Sequence, residues 1–132
     1  MKFYSDPVYI EMCRTAEEIQ AIIPFDIGDW FYTPHANSVS CNYFDFTEEN
    51  IAYNKVRHDK RVKTGRQSVW LPRLDQLIEM AMGSGTIQAT HNEFQQYEWE
   101  NPGYKTYEEE WLGFVMEKLH GKRWTGEEWE EI

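Results

Sequence analysis

Residues 67–83 read QSVWLPRLDQLIEMAMG, and within this stretch a strand pattern changes to a helix pattern. Residues 68–71 are typical of a strand, and Pro72 suits a first helical turn, where the amide that it lacks would have no partner. From Leu74 onward, apolar residues recur at helical spacing, and Gly83 is placed to end the helix in a left-handed conformation. The stretch predicts a strand and a helix at the centre of the core.

Two further helices are indicated by capping residues. Asp6 followed by Pro7 predicts a helix over 6–23, because an N-cap acceptor precedes a proline at the first helical position. Thr106 and Glu109 have the spacing of a capping box, and they predict a helix over 106–120. Its apolar residues form a wide stripe, and such a stripe predicts burial on more than one side.

Four further strands are predicted by runs of β-branched and aromatic residues. They cover 30–33, 39–46, 86–90 and 94–99, and the short link at 91–93 predicts that the last two form an antiparallel hairpin. The fold class is therefore α+β, with three helices packed on a small, mostly antiparallel sheet of about five short strands.

The length and composition favour one folded domain over residues 1–132. The chain contains 132 residues, of which 16% are aromatic, and a disordered chain would not carry so many rings. The sequence also predicts a basic loop or hairpin at 47–66 and a Trp/Glu-rich tail at 122–132, with a turn at Thr125-Gly126 and a short strand or helix.

The net charge is −10, from 13 Lys or Arg and 23 Asp or Glu. Such a protein repels nucleic acid at long range, so its natural partners are expected to be basic protein surfaces. The charge is uneven, because residues 55–66 contain six Lys or Arg and one Asp and therefore carry +5. The oligomeric state is not indicated.

The basic segment is the best candidate for contact with nucleic acid or with a partner. Several cations interleaved with Tyr53 and His58 could contact successive phosphates. The alternative is an ordinary solvated loop, which is the usual role of a charged run. The candidate residues are Lys55, Arg57, Lys60, Arg61, Lys63 and Arg66.

The acidic C-terminal part is the second candidate surface. Residues 93–132 contain 11 acids, four Lys or Arg and four Trp, a net charge of −7. Aromatic rings framed by carboxylates suit a protein interface that meets basic residues. The alternative is that the rings belong to the core and the acids provide solubility. The candidate residues are Glu127, Glu128, Trp129, Glu130 and Glu131.

No metal site, cofactor or catalytic group is predicted. The side chains able to bind a soft metal show no CxxC, HxH or HExxH spacing. Cys13 lies on the apolar side of the first helix and is expected to be a core residue, and the acids are too numerous for one pair to stand out. The possible metal ligands are His35, His58, His91, His120, Cys13 and Cys41.

The cellular setting is expected to be a reducing cytoplasm without a membrane anchor. Two cysteines do not form a disulfide framework, and no charged-then-apolar leader precedes the first helix. No apolar run approaches the ~20 residues that span a bilayer.

Four segments together resemble a family of small uncharacterised proteins encoded by phages and prophages of Firmicutes. They are MCRTAEEIQ at 12–20, GDWF at 28–31, WLPRLDQL at 70–77, and WLGFVM at 111–116 continued by GEEW at 126–129. The resemblance covers most of the chain outside residues 33–66. It implies a phage-associated role inside a bacterial host, and it implies no enzymatic activity.

The leading hypothesis is therefore a non-enzymatic phage or prophage protein that binds a host or phage protein through its acidic surface. In a phage setting, such a surface could imitate DNA toward a host DNA-binding or defence enzyme. The alternative is a nucleic-acid-binding accessory protein that uses residues 55–66.

Overall fold

The structure is a computed structural model, and it describes residues 2–22, 29–33, 37–41 and 69–132. Within these residues the chain forms five α-helices, one 3-10 turn and five strands. The α+β class is confirmed, but the prediction of three helices on one sheet is wrong. The strands form two antiparallel sheets, one of three strands and one of two.

The backbone divides into two compact units, Met1–Pro72 (the N-terminal unit) and Arg73–Ile132 (the C-terminal unit). The first contains a 3-10 turn at Phe3–Ser5, α1 at Pro7–Thr15, α2 at Glu17–Gln20, β1 at Trp30–Thr33, β2 at Ser38–Cys41 and β3 at Val69–Leu71. The second contains α3 at Leu74–Met82, α4 at Ile87–Glu100, α5 at Tyr107–His120, β4 at Lys122–Trp124 and β5 at Trp129–Glu131. Each unit is described by itself, and the single domain over 1–132 stays a prediction.

The first helix starts as predicted but is shorter. The Asp6 carboxylate accepts a hydrogen bond from the Val8 amide at 3.0 Å, and Pro7 is the first helical residue. The prediction of one helix over 6–23 is wrong, because Ala16 leaves the helical conformation, with φ −84° and ψ 80°. The chain resumes as α2, which ends at Gln20.

Gln20 closes the edge of the three-stranded sheet. Among the described strands the order is β2-β1-β3, so β3 pairs with a strand on one side only. The Gln20 side chain occupies that side: its Oε1 accepts from the Trp70 amide at 2.8 Å, and its Nε2 donates to the Trp70 carbonyl at 2.9 Å. The same Nε2 donates to the Cys13 carbonyl at 3.0 Å, which joins α1 to the sheet. A side-chain amide thus replaces a neighbouring strand.

The predicted strands of the N-terminal unit lie side by side. The strand over 30–33 is confirmed as β1, which pairs with β2 and β3 in antiparallel register. The prediction over 39–46 corresponds to β2 as far as Cys41, and residues 42–46 lie outside the described residues. All three residues of β3 are buried, and the Tyr9 hydroxyl donates to the Pro72 carbonyl at 2.6 Å.

The stretch at 67–83 contains the predicted strand and helix, but the helix begins later than predicted. Pro72 is not in the first helical turn, because Arg73 is the N-cap residue and α3 begins at Leu74. Gly83 has a positive φ of 53°, as predicted, but its ψ of −121° is not left-handed helical. It is the first central residue of a type II′ turn, which is closed by a 2.8 Å bond from the Gly85 amide to the Met82 carbonyl.

The predicted hairpin over 86–99 is wrong, because this segment is the single helix α4. Thr86 is its N-cap and accepts a hydrogen bond from the Ala89 amide at 3.2 Å. The buried residues are Thr90, Phe94 and Tyr97, which have the spacing of one helix face. Helical burial therefore overrides the high strand propensity of the individual residues.

The last helix and the tail complete the C-terminal unit. The Thr106 hydroxyl accepts from the Glu109 amide at 3.2 Å, and Gly121 ends α5 with φ 62° and ψ 35°, both as predicted. Residues Trp111–Met116 of α5 are all buried, so this helix is surrounded by its neighbours. The tail forms a hairpin of β4 and β5, in which Trp124 pairs with Trp129.

Candidate interaction surface

The six basic residues of the 55–66 segment lie outside the described residues, so their role stays a prediction. The residues are Lys55, Arg57, Lys60, Arg61, Lys63 and Arg66. His35 and His58 also lie outside, as does the side chain of Cys41.

The acidic candidates of the tail come together on the C-terminal hairpin. Thr125 holds its turn: the Thr125 hydroxyl accepts from the amides of Glu127 at 3.3 Å and Glu128 at 3.1 Å. This places two exposed carboxylates at the tip of the hairpin. The strand acids have basic partners in the register, with Glu130 opposite Arg123 and Glu131 opposite Lys122. Sequence reasoning missed this pairing, which concentrates the negative charge at the turn.

Trp124 and Trp129 form an aromatic pair on the same hairpin. Their ring centroids lie 5.1 Å apart with an interplanar angle of 58°. Both side chains are half-buried, so part of each indole faces solvent beside the acidic turn. Trp129 is therefore partly buried and partly exposed to solvent.

Trp99 is the most exposed large apolar residue in the described part of the chain, with 83% of its surface accessible. It lies in the last turn of α4 and is flanked in sequence by Glu98 and Glu100. Trp99 is one of the four Trp residues of the acidic region, but the wrong hairpin prediction placed it on a strand. Helical periodicity over 90, 94 and 97 is the signal that identifies its outward position.

Two tyrosines lie between the inner side of α4 and α5: Tyr97 of α4 and Tyr104 of the connection between the two helices. The hydroxyls of Tyr97 and Tyr104 lie 2.8 Å apart and share a hydrogen bond. Burial, followed by neighbouring charge and hydrogen bonding, raises the pKa of Tyr97, and burial also raises that of Tyr104. Both phenols are therefore neutral at physiological pH. They sit against Gly113, where an added Cβ would lie 2.5 Å from the Tyr97 hydroxyl and still closer to that of Tyr104.

Two carboxyls face each other where α4 meets α5. Burial, and then the neighbouring Glu98 carboxyl, raise the pKa of Glu110 to about 7. Like charges that share a site resist ionising together, so Glu110 holds a proton near neutrality. Further along the same helices, Glu93 forms an ion pair with Lys118 at 3.0 Å.

The remaining candidates do not converge on a reactive centre within the described residues. Cys13 is buried, as predicted, and burial raises the pKa of its thiol, so the nucleophilic thiolate is disfavoured. His91 and Glu93 lie two positions apart on a helix and so do not share a face. No group of three or more His, Cys, Asp or Glu in the described part of the chain is arranged to hold a metal ion.

No family model, curated protein or solved structure matches the chain. The resemblance to phage proteins therefore stays a prediction. Among the described residues, no helix has the length and hydrophobicity needed to cross a membrane. In residues 93–132, exposed carboxylates and at least partly exposed indole rings occur together on α4 and on the C-terminal hairpin.

Proposed function

We propose that this is a non-enzymatic phage or prophage protein that acts in the bacterial cytoplasm by binding a basic protein. The binding surface is the acidic, Trp-containing part of the C-terminal unit. Its partner is a host or phage protein with exposed Lys and Arg, and the DNA-binding surface of a host defence enzyme has this chemistry.

The observation that supports the proposal is the solvent exposure of three indole rings in a strongly acidic region. Trp99 is 83% exposed, and Trp124 and Trp129 are half-buried beside the acidic turn. Residues 93–132 have a net charge of −7. Carboxylates accelerate encounter with a basic partner, and desolvated aromatic rings supply most of the binding energy.

Affinity capture from bacterial lysate tests the proposal. The wild-type protein is compared with the double variant Glu127→Gln/Glu128→Gln, which neutralises the hairpin tip. The matched control Glu17→Gln/Glu79→Gln removes the same charge from two exposed positions outside the hairpin, one on α2 and one on α3. We expect basic proteins to be recovered at low salt by the wild type and the control, with reduced recovery by the tip variant.

Two results would overturn the proposal. One is the recovery of no specific protein at about 50 mM salt, where surface charges are screened least. The other is a gel shift with duplex DNA, single-stranded DNA or RNA that disappears on charge reversal of Arg57, Lys60 and Arg61. That outcome would favour the nucleic-acid-binding alternative.

A further inference from the structure

The outward side of α4 lacks the charge that marks the rest of its unit. Thr90, Phe94 and Tyr97 are buried and define the inner side of this helix. At about 100° per residue, five residues fall on the opposite side, and all are exposed and uncharged. This uncharged strip consists of Gln88, Asn92, Gln95, Gln96 and Trp99. Its neutrality contrasts with residues 73–132 as a whole, which contain 13 acids and five Lys or Arg.

Trp99 gives the strip a candidate anchor. Its side chain is 83% exposed, so nearly the whole indole is in water. A Trp ring removes on the order of 150–250 Å² from water when it is buried. Trp is also among the residues most enriched where truncation weakens an interface. The strip thus combines one large apolar group with amides that can donate and accept.

Acidic residues border the strip on both sides. The helical wheel places Glu98 on one side and Glu100 on the other. Glu93 lies on the same side as Glu100, but it is ion-paired with Lys118 at 3.0 Å. Glu98 lies beside the Glu110 carboxyl, and a cation bound there would favour the ionised form of both groups. Glu100 accepts from the Gln96 amide at 2.8 Å, which fixes one edge of the strip. An uncharged centre with a charged rim is the arrangement of a protein interface.

We propose that the outward face of α4 binds an amphipathic helix of the partner protein, whose apolar stripe covers Trp99 and whose Lys and Arg side chains meet the acidic borders. This inference rests on the proposed function, because it takes the partner to be basic. It adds the place of contact and the form of the partner segment.

Charge decides between this occupant and a second copy of the chain. Two copies of α4 packed antiparallel about a two-fold axis would bring the same borders together. The border that carries Glu98 would then run along the same border of the second copy, and the two borders that carry Glu100 would also meet. A helix with basic sides replaces that repulsion by attraction. The 14 residues of α4 form a footprint only about 21 Å long, so we expect a weak, salt-sensitive complex.

A synthetic peptide tests this inference directly. The probe is a fluorescent helix of ~18 residues, with Leu at helical spacing and Lys on both sides of the Leu stripe. Binding is measured by anisotropy at about 50 mM and about 300 mM salt. We expect saturable binding at low salt, about tenfold or more weaker for Trp99→Ala. The control Ile22→Ala changes an exposed apolar residue of the N-terminal unit and should alter binding by less than about twofold. Trp129→Ala on the hairpin is measured alongside, and circular dichroism confirms that the variants are folded.

The outcomes separate this inference from the proposed function. If Trp129→Ala weakens binding and Trp99→Ala does not, the contact lies on the hairpin, and the α4 inference is overturned while the proposed function survives. Equal binding of a scrambled peptide of the same composition to wild type and Trp99→Ala would show general charge attraction, which also overturns the inference. Absence of saturable wild-type binding has the same consequence, whereas the proposed function is tested separately by the lysate capture and the gel shift described above.

Discussion

The side chain of Gln20 has a structural role that the hydrophobic pattern of the sequence does not indicate. Gln20 is polar and interrupts an otherwise apolar face, yet it is buried and makes three hydrogen bonds to backbone atoms of Cys13 and Trp70. The apolar residues Met12, Ala16 and Ile19 recur at helical spacing and are fully buried. Periodicity predicts which positions are inside, but it does not predict which backbone groups a polar side chain will satisfy.

Replacing Gln20 by Met should destabilise the protein by about 2–4 kcal/mol. The substitution keeps the length of the side chain but leaves the buried Trp70 amide and carbonyl without this partner. Urea denaturation measures the loss. The matched control is Gln95→Met on the exposed side of α4, which should change stability by less than about 0.5 kcal/mol. Equal midpoints for both variants would show that Gln20 does not hold the sheet edge.

Tyr97 and Tyr104 pack so closely against Gly113 that a larger residue at position 113 would collide with their hydroxyls. Ala normally stabilises a helix interior by about 1 kcal/mol relative to Gly. Here the added methyl group would displace the hydroxyls of Tyr97 and Tyr104, so Gly113→Ala should destabilise by about 1–3 kcal/mol. The cost should be smaller in a Tyr104→Phe background, where one obstructing oxygen is gone. Thermal melting of the four proteins tests this, and a more stable Gly113→Ala variant would contradict it.

Glu110 should make stability fall as the pH rises toward neutrality. Its pKa is about 7 in the folded protein against an ordinary value of 4.5, so the folded state holds the proton more tightly than the unfolded state. The stabilisation is complete below about pH 4.5 and is lost as the pH rises through about 7. Because the group is partly exposed, we expect an effect of under about 1 kcal/mol.

Urea denaturation at pH 5 and pH 8 measures the effect of Glu110. The Glu110→Gln variant cannot ionise, so it should match wild type at pH 5 and exceed it in stability at pH 8. The control Glu79→Gln changes an exposed carboxylate and should show no such difference between the two pH values. A constant difference between wild type and Glu110→Gln would contradict the assignment.

At the scale of elements, capping residues predicted helix starts better than residue propensities predicted element types. Asp6 and Thr106 cap the helices that they were expected to cap. The segment from Thr86 to Trp99 was misassigned because β-branched and aromatic residues favour strands, and 91–93 looked like a turn. Thr86 also carries a capping signal, and the burial of residues 90, 94 and 97 shows that tertiary packing decided the outcome.

The helical assignment of residues 87–100 predicts very different stability losses for the truncation of Trp111 and of Trp99. Trp111 on α5 is 4% exposed and stacks on Phe94 of α4 at 4.0 Å, so Trp111→Ala should cost about 3–5 kcal/mol. Trp99 points outward, so Trp99→Ala should cost less than about 0.5 kcal/mol. Denaturation midpoints compare the two variants with wild type. A large loss for Trp99→Ala would mean that α4 presents a different side to its neighbours.

At the scale of the whole molecule, most of the net negative charge belongs to the C-terminal unit. Residues 73–132 carry −8 of the total −10, while residues 55–66 carry +5. Composition alone therefore predicted the acidic region and its excess of Trp. It did not predict that Glu130 and Glu131 would lie opposite basic residues, or that Trp99 would be the exposed ring, because both depend on register and helical phase. The proposed site follows from that geometry.

Chemical-shift mapping of the ¹⁵N-labelled protein with the Leu/Lys helical peptide tests the central claim most directly. We predict that the perturbed signals at low salt include the Trp99 indole N–H and the side-chain amides of Gln95 and Gln96, and that the shifts shrink as salt is added. Perturbations confined to residues 55–66, or none at all in α4, would contradict the account.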